Sequence, residues 1–162
     1  MTPEEIVAKF ADALKQFDPI YRKPYDTDLT QIREVVVTLL IQIQYDKTGG
    51  THNLIGLICY GAEFVKPTRV GAYDATINDD ATAVVCVRME ATHKANRTNR
   101  DTYETARRET AQFILDVVEY TSVRELRDTK TFYTDVAPKA LLAHLQAGCT
   151  GCHYLYLLAL HN

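Results

Sequence analysis

The chain has 162 residues, 46% hydrophobic and 24% charged, with a formal net charge of −3. That length suits one domain with a sizeable core, and the composition argues against wholesale disorder. The slight acidity argues against a chain that holds nucleic acid or anionic membrane by bulk electrostatics. Acids stand at Glu4 and Glu5, where a secretory leader would need a basic region. The apolar runs "VVVTLLI" and "YLYLLAL" fall far short of the roughly 18–20 residues that span a bilayer. With no export signal, the four cysteines read as free thiols in a cytosolic or nuclear protein, with the cytoplasm the expected location, and the "NRT" sequon at 96–98 has no consequence there.

In chain order, Thr2, Pro3 and Glu5 predict a helix start with a capping box. Ile6, Phe10, Leu14 and Phe17 then form one apolar stripe, ended by Asp18-Pro19. After the polar connector "IYRKPYDTD", Asp28 is a candidate cap for a second helix along Leu29, Ile32, Val36, Leu39, Leu40 and Ile43. The three valines at 35–37 favour a strand locally, but the longer helical period outweighs them. Around 45–78 the chain reads as irregular and loop-rich, with a turn at Gly49-Gly50 and breakers at Pro67 and Gly71.

Asp79 or Asp80 opens a helix through Ala83, Val84, Val87, Ala91 and Lys94 that should end in the polar "NRTNRD". Asp101 then opens a separate helix with Tyr103, Ala106, Thr110, Phe113, Ile114 and Val117 on one face. Ser122 and Glu125 suggest a capping box for a short helix, and Asp135 a cap for "VAPKALLAHLQA", whose Leu141 and Leu142 read as core and whose stop is Gly148. "YLYLLALHN" starts a last helix that reads as cut short. The expected fold is therefore mainly α, a bundle of six to seven helices forming a single domain over 1–162, truncated at its C-terminal end.

The one cofactor-like spelling is Cys149-Thr150-Gly151-Cys152-His153. C-x-x-C-H fits c-type haem attachment, and its first four residues fit a zinc or redox pair. Haem would need export and commonly a second axial ligand. Zinc would need two further ligands at suitable spacing, yet Cys59 and Cys86 stand alone and His144 and His161 flank the pair irregularly. A redox pair belongs at a helix N-terminus after a strand, whereas this one follows a helix. The plainer reading is a helix–helix turn carrying two half-buried thiols.

Asp26/Asp28 and Asp79/Asp80 are candidate metal carboxylates, but they stand where helix caps belong. His52 and His93 lack a nucleophile or carboxylate at a telling distance, and phosphate-loop, dinucleotide and nucleophile-elbow motifs are absent from the sequence. The cluster Arg88, Lys94, Arg97 and Arg100 could touch phosphate, or serve as a solvated helix end. No aromatic residues interleave it to stack bases. The sequence thus assigns no catalytic, cofactor-binding or metal-binding residue.

Three strings carry a family resemblance: "YDKTGGTHNLIGLI", "VGAYDATINDDATAVVCVRMEATHKA" and "ELRDTKTFYTDVAPKALLAHLQAGCTGCHYLYLLALHN". They resemble the Gag-like, capsid-precursor region of Copia-type LTR retrotransposons, over most of the chain from about residue 26. The resemblance implies a non-enzymatic helical unit that packs against copies of itself and encloses element RNA, with RNA contacts through regions outside this chain. It implies no membrane and no small-molecule substrate. Two departures stand out: Ser122 occupies a position where such regions often carry Trp, and Leu157 stands where a zinc knuckle begun at Cys149 would need its His. A CxxC-type metal or redox protein and a host helical adaptor remain the alternative readings.

Overall fold

The computed structural model describes residues 1–47, 50–59 and 83–149. Among them are four α-helices, one β-hairpin and three single-turn 3-10 helices. The mainly helical class stands, but the described residues do not form six to seven helices of a bundle.

Helix α1 (Pro3–Gln16) begins as its sequence dictates. The Thr2 N–H donates to Glu5 Oε2 at 2.7 Å, and the Glu5 N–H donates to Thr2 Oγ1 at 3.2 Å. Ile6, Phe10 and, just past the end, Phe17 are buried. Helix α2 (Asp26–Leu40) buries Leu29, Ile32, Val36 and Leu40, so the period does prevail over the valine run. Its cap is Tyr25 rather than Asp28. Asp28 sits in the first turn and accepts the Tyr25 N–H at 2.7 Å, which is the reciprocal half of a capping box.

The loop-rich expectation near 45–78 gives way at its start to an antiparallel hairpin, β1 (Gln44–Lys47) on β2 (Gly50–Asn53), paired Gln44↔Asn53 through Lys47↔Gly50. A 3-10 turn at Ile55–Leu57 follows, and buried Leu54, Leu57 and Ile58 tie it to the core. The rest of that segment and the Asp79/Asp80 start lie outside the described residues, as does the helix expected in 154–162.

The largest correction is helix α3 (Ala83–Val117), one continuous helix of 35 residues where two were expected. The polar "NRTNRD" stretch contains neither Pro nor Gly, so nothing in it forces a break. Thr98 Oγ1 donates to the Lys94 carbonyl at 3.0 Å, and Arg100 pairs with Glu104 one turn on, an (i, i+4) bridge across the expected gap. Asp101 is consequently an exposed mid-helix residue, not a cap.

Ser122 and Glu125 form no capping box either. The chain there makes two 3-10 turns, Tyr120–Ser122 and Arg124–Leu126. Helix α4 (Pro138–Gly148) starts at Ala137 with Pro138 in its first turn, leaving Asp135 outside and exposed. Proline pre-sets the helical φ and removes one of the N–H groups that would lack a partner, and the cap residue Ala137 makes no side-chain hydrogen bond.

All four helices feed one hydrophobic cluster. Phe113 of α3 stands edge-on to Phe10 (ring centroids 6.3 Å) and Phe17 (5.7 Å) of the α1 region. The Ile20 N–H donates to the Val117 carbonyl at 2.8 Å, locking the end of α3 to the connector. Leu141, Leu142 and Leu145 of α4 close the other side, and Gln146 Nε2 donates to Asp26 Oδ1 at 3.1 Å, pinning α4 to α2.

Candidate interaction surface

Helix α3 changes character midway. Its buried residues run from Thr102 to Val117, and no residue of 83–101 is buried. Yet the early half is not polar. Val84 is 63% exposed, Val87 64% and Met89 48%. A helix of this length extends on the order of 50 Å, so its first half reaches beyond the part that α1 and α4 cover.

At 3.6 residues per turn, positions 18 residues apart share a phase. Val84, Val85 and Val87 therefore continue the line of Thr102, Tyr103 and Thr105, which are buried. The early apolar residues lie on the same broad face as the core but beyond the neighbours that cover its late half, and between the two Arg88, Thr92 and Asn99 on that face are polar.

The basic residues along α3 do not act as one patch. Arg100 is committed, paired with Glu104 and lying 5.0 Å over the Tyr103 ring. Arg88, Lys94 and Arg97 are exposed and spread around the helix. Lys94 falls within the valine stripe, Arg88 flanks it on one side, and Arg97 lies toward the other.

The remaining candidates resolve as follows. Asp26 accepts from Gln146, and Asp28 accepts from Tyr25 N–H and pairs with Arg22 at 2.6 Å. The Arg22 hydrogen bond holds the Asp28 carboxyl below the usual aspartate range, helped by the Tyr25 N–H and opposed by burial. His52 lies in β2 opposite Tyr45, and His93 is half-buried on α3. Asp79, Asp80, Cys152, His153 and His161 lie outside the described residues.

Cys149 is buried and disulfide-bonded, whereas Cys59 and Cys86 are free. This corrects the expectation of a free thiol at 149. A disulfide sulfur is not the thiolate that zinc requires, and Cys149 follows the C-terminus of α4, the opposite end from the helix N-termini that activate redox thiols. Disulfides are rare in the cytosol, so this bond and a cytoplasmic location pull in opposite directions.

Among the described residues, clefts open on two sides of the core. One, of about 500 Å³, lies between the connector, the 3-10 turns and α4, with Lys23, Glu119, Glu125 and His144 on its walls. The other, of about 470 Å³, lies between α3 and the 132–136 segment, with Arg107, Gln112 and Tyr133 among its lining. Tyr133 has a buried hydroxyl without a hydrogen-bond partner. Its pKa is raised by burial first and by Tyr120 second, against the opposing pull of Arg127. Among the described residues, no three His, Cys, Asp or Glu side chains converge as a metal site, and no helix is long and apolar enough to cross a membrane.

No family model, curated protein or solved structure matches this chain. The surface that sequence reasoning missed is the early half of α3. Its stripe was legible, but its exposure was not, because the valines share the phase of buried Thr102 and Thr105 and only the packing shows where the covering helices end.

Proposed function

We propose that this chain is a self-associating, non-catalytic structural module of the retrotransposon Gag type, a helical unit that packs against copies of itself in the cytoplasm and encloses element RNA. One observation carries the reading: Val84 and Val87, neighbours one turn apart, stand exposed on a helix whose buried residues begin only at Thr102. Contiguous exposed apolar side chains on an otherwise well-packed chain mark an interaction site. The resemblance of the three strings to Gag-like regions supports the choice of partner, because such modules assemble with themselves.

Sedimentation equilibrium over a wide concentration range tests it. The apparent mass is expected to climb from monomer to higher species, and Val84→Asp with Val87→Asp is expected to hold the chain at monomer mass. A wild-type chain that stays monomeric up to millimolar concentration overturns the proposal.

A further inference from the structure

We infer that the cleft between the late half of α3 and the 132–136 segment binds a small monocarboxylate with an apolar body, its carboxylate on Arg107 and its body against Ala111, Leu115 and Phe132. This site is separate from the exposed valines, which stand on the early half of α3.

The cleft measures about 470 Å³, within the roughly 300–1,000 Å³ of small-molecule sites. Helical spacing builds its α3 wall. Glu104, Arg107, Arg108, Ala111 and Leu115 recur at three and four on the side opposite buried Ala106 and Phe113. The wall therefore passes from a charged end to an apolar one. Across from it stand Phe132, Tyr133 and Val136, and Ala111, Leu115, Tyr133 and Val136 are partly buried against the core. The neutral polar groups of the lining are engaged: Gln112 Nε2 donates to Asp116 at 2.7 Å, and Thr134 Oγ1 donates to the Thr131 carbonyl at 2.7 Å.

The charges of the lining leave one cation over. Glu104 is paired with Arg100, and Arg108 with Glu109. Arg107 is half-buried and, among the described residues, takes part in no ion pair. Glu104 lies one turn before it, but its carboxylate is held by Arg100. A planar carboxylate matches the guanidinium fork through two parallel hydrogen bonds. One surplus positive charge suits a monoanion, whereas a phosphate dianion would bring a second charge without a partner.

Phe132 supplies the independent sign. Among the described residues it is the one non-glycine with a positive φ, 57°, a conformation that a bulky side chain rarely adopts. The turn holds it there. Its N–H donates to the Asp128 carbonyl at 3.1 Å, and its carbonyl accepts the Asp128 N–H at 2.8 Å. Asp128 Oδ1 also accepts the Lys130 and Thr131 N–H groups. Core packing does not account for this strain, because the ring is 52% exposed. It lines the cleft instead, with Arg127 4.6 Å over it. Strained residues of this kind gather at ligand sites.

The test titrates the isotope-labelled full chain with phenylacetate and, separately, with phenylacetamide, its uncharged isostere. Phenylacetate is expected to shift the amides of 107–115 and 132–136 saturably in NMR spectra. Phenylacetamide should bind about tenfold more weakly, since it cannot offer the guanidinium two anionic acceptors. Arg107→Gln is expected to weaken phenylacetate binding about tenfold. Phe132→Gly keeps the turn, because glycine adopts that φ without strain, and should weaken binding by removing the ring. Matching circular dichroism and melting curves verify the fold of each variant. A wild type without saturable shifts at millimolar phenylacetate, or with equal affinity for phenylacetamide, overturns the site. So does phenylacetate binding that survives Arg107→Gln or Phe132→Gly unchanged.

Discussion

The two halves of α3 are one rod with two environments. From Thr102 onward it carries a phenylalanine wedged between two others, a valine carbonyl bonded to the connector, and two faces covered by α1 and α4. From Ala83 to the polar stretch it carries valines and a methionine in solvent. Hydrophobicity alone does not separate them, since both have apolar residues at helical spacing. Phase does not separate them either, since Val84 and Val87 stand five whole turns before buried Thr102 and Thr105; what separates them is reach, because burial along α3 begins only at Thr102. Continuity of a helix says nothing about continuity of a core.

Substitutions can make that contrast sharp. The largest effect is expected in the wholly buried α4 wall: Leu141→Asp places an unpaired carboxylate in the core and should cost several kcal/mol, enough to abolish cooperative urea unfolding. Retention of a sigmoidal transition would mean that α4 is not core. Next, Phe113→Ala removes the ring between Phe10 and Phe17 and should cost roughly 3–5 kcal/mol, while Met89→Ala on the same helix should fall within about 0.5 kcal/mol. Equal losses at the two positions in chemical denaturation would erase the distinction between the halves.

A smaller effect is expected at the start of α2. Asp28→Ala leaves the Tyr25 N–H without its acceptor and should cost about 1 kcal/mol. The Asp28 carboxyl is held below its ordinary value chiefly by Arg22. Its stabilisation is therefore fully present above the unfolded pKa of about 3.9 and is lost as pH falls through that value toward the lower folded one. The wild type minus Asp28→Ala stability gap should hold steady from neutral pH down to about pH 5 and shrink below it. A gap that persists at pH 2 would contradict the assignment. The smallest effect carries the opposite sign. Thr110, fully buried in the late half of α3, has a hydroxyl without a partner, so Thr110→Val should raise stability by about 1 kcal/mol, read as an upward shift in melting temperature.

The elements that the sequence announced most clearly were those governed by local chemistry. The Thr2–Pro3–Glu5 start of α1 and the α2 stripe at Leu29, Ile32 and Val36 follow from hydrogen bonds and periodicity within a few residues, and both formed as expected. Predicted caps at Asp101, Ser122 and Asp135 failed because capping residues also occur in helix interiors and turns, and only the surrounding packing chooses among those uses. The candidate site was half legible: the stripe at Val84 and Val87 is written in the residues, but its exposure is not. Cys149 was misjudged as a free thiol because a disulfide depends on which sulfur another segment brings near.

By itself, then, the amino-acid order determined the helical class, the capped start of α1, the buried stripe of α2, and the apolar residues available for a core, because these depend on neighbours one or two turns away. Only the tertiary structure decided that α3 runs unbroken and that its early half faces solvent. Burial is a property of what lies opposite a side chain, and that partner comes from distant parts of the chain.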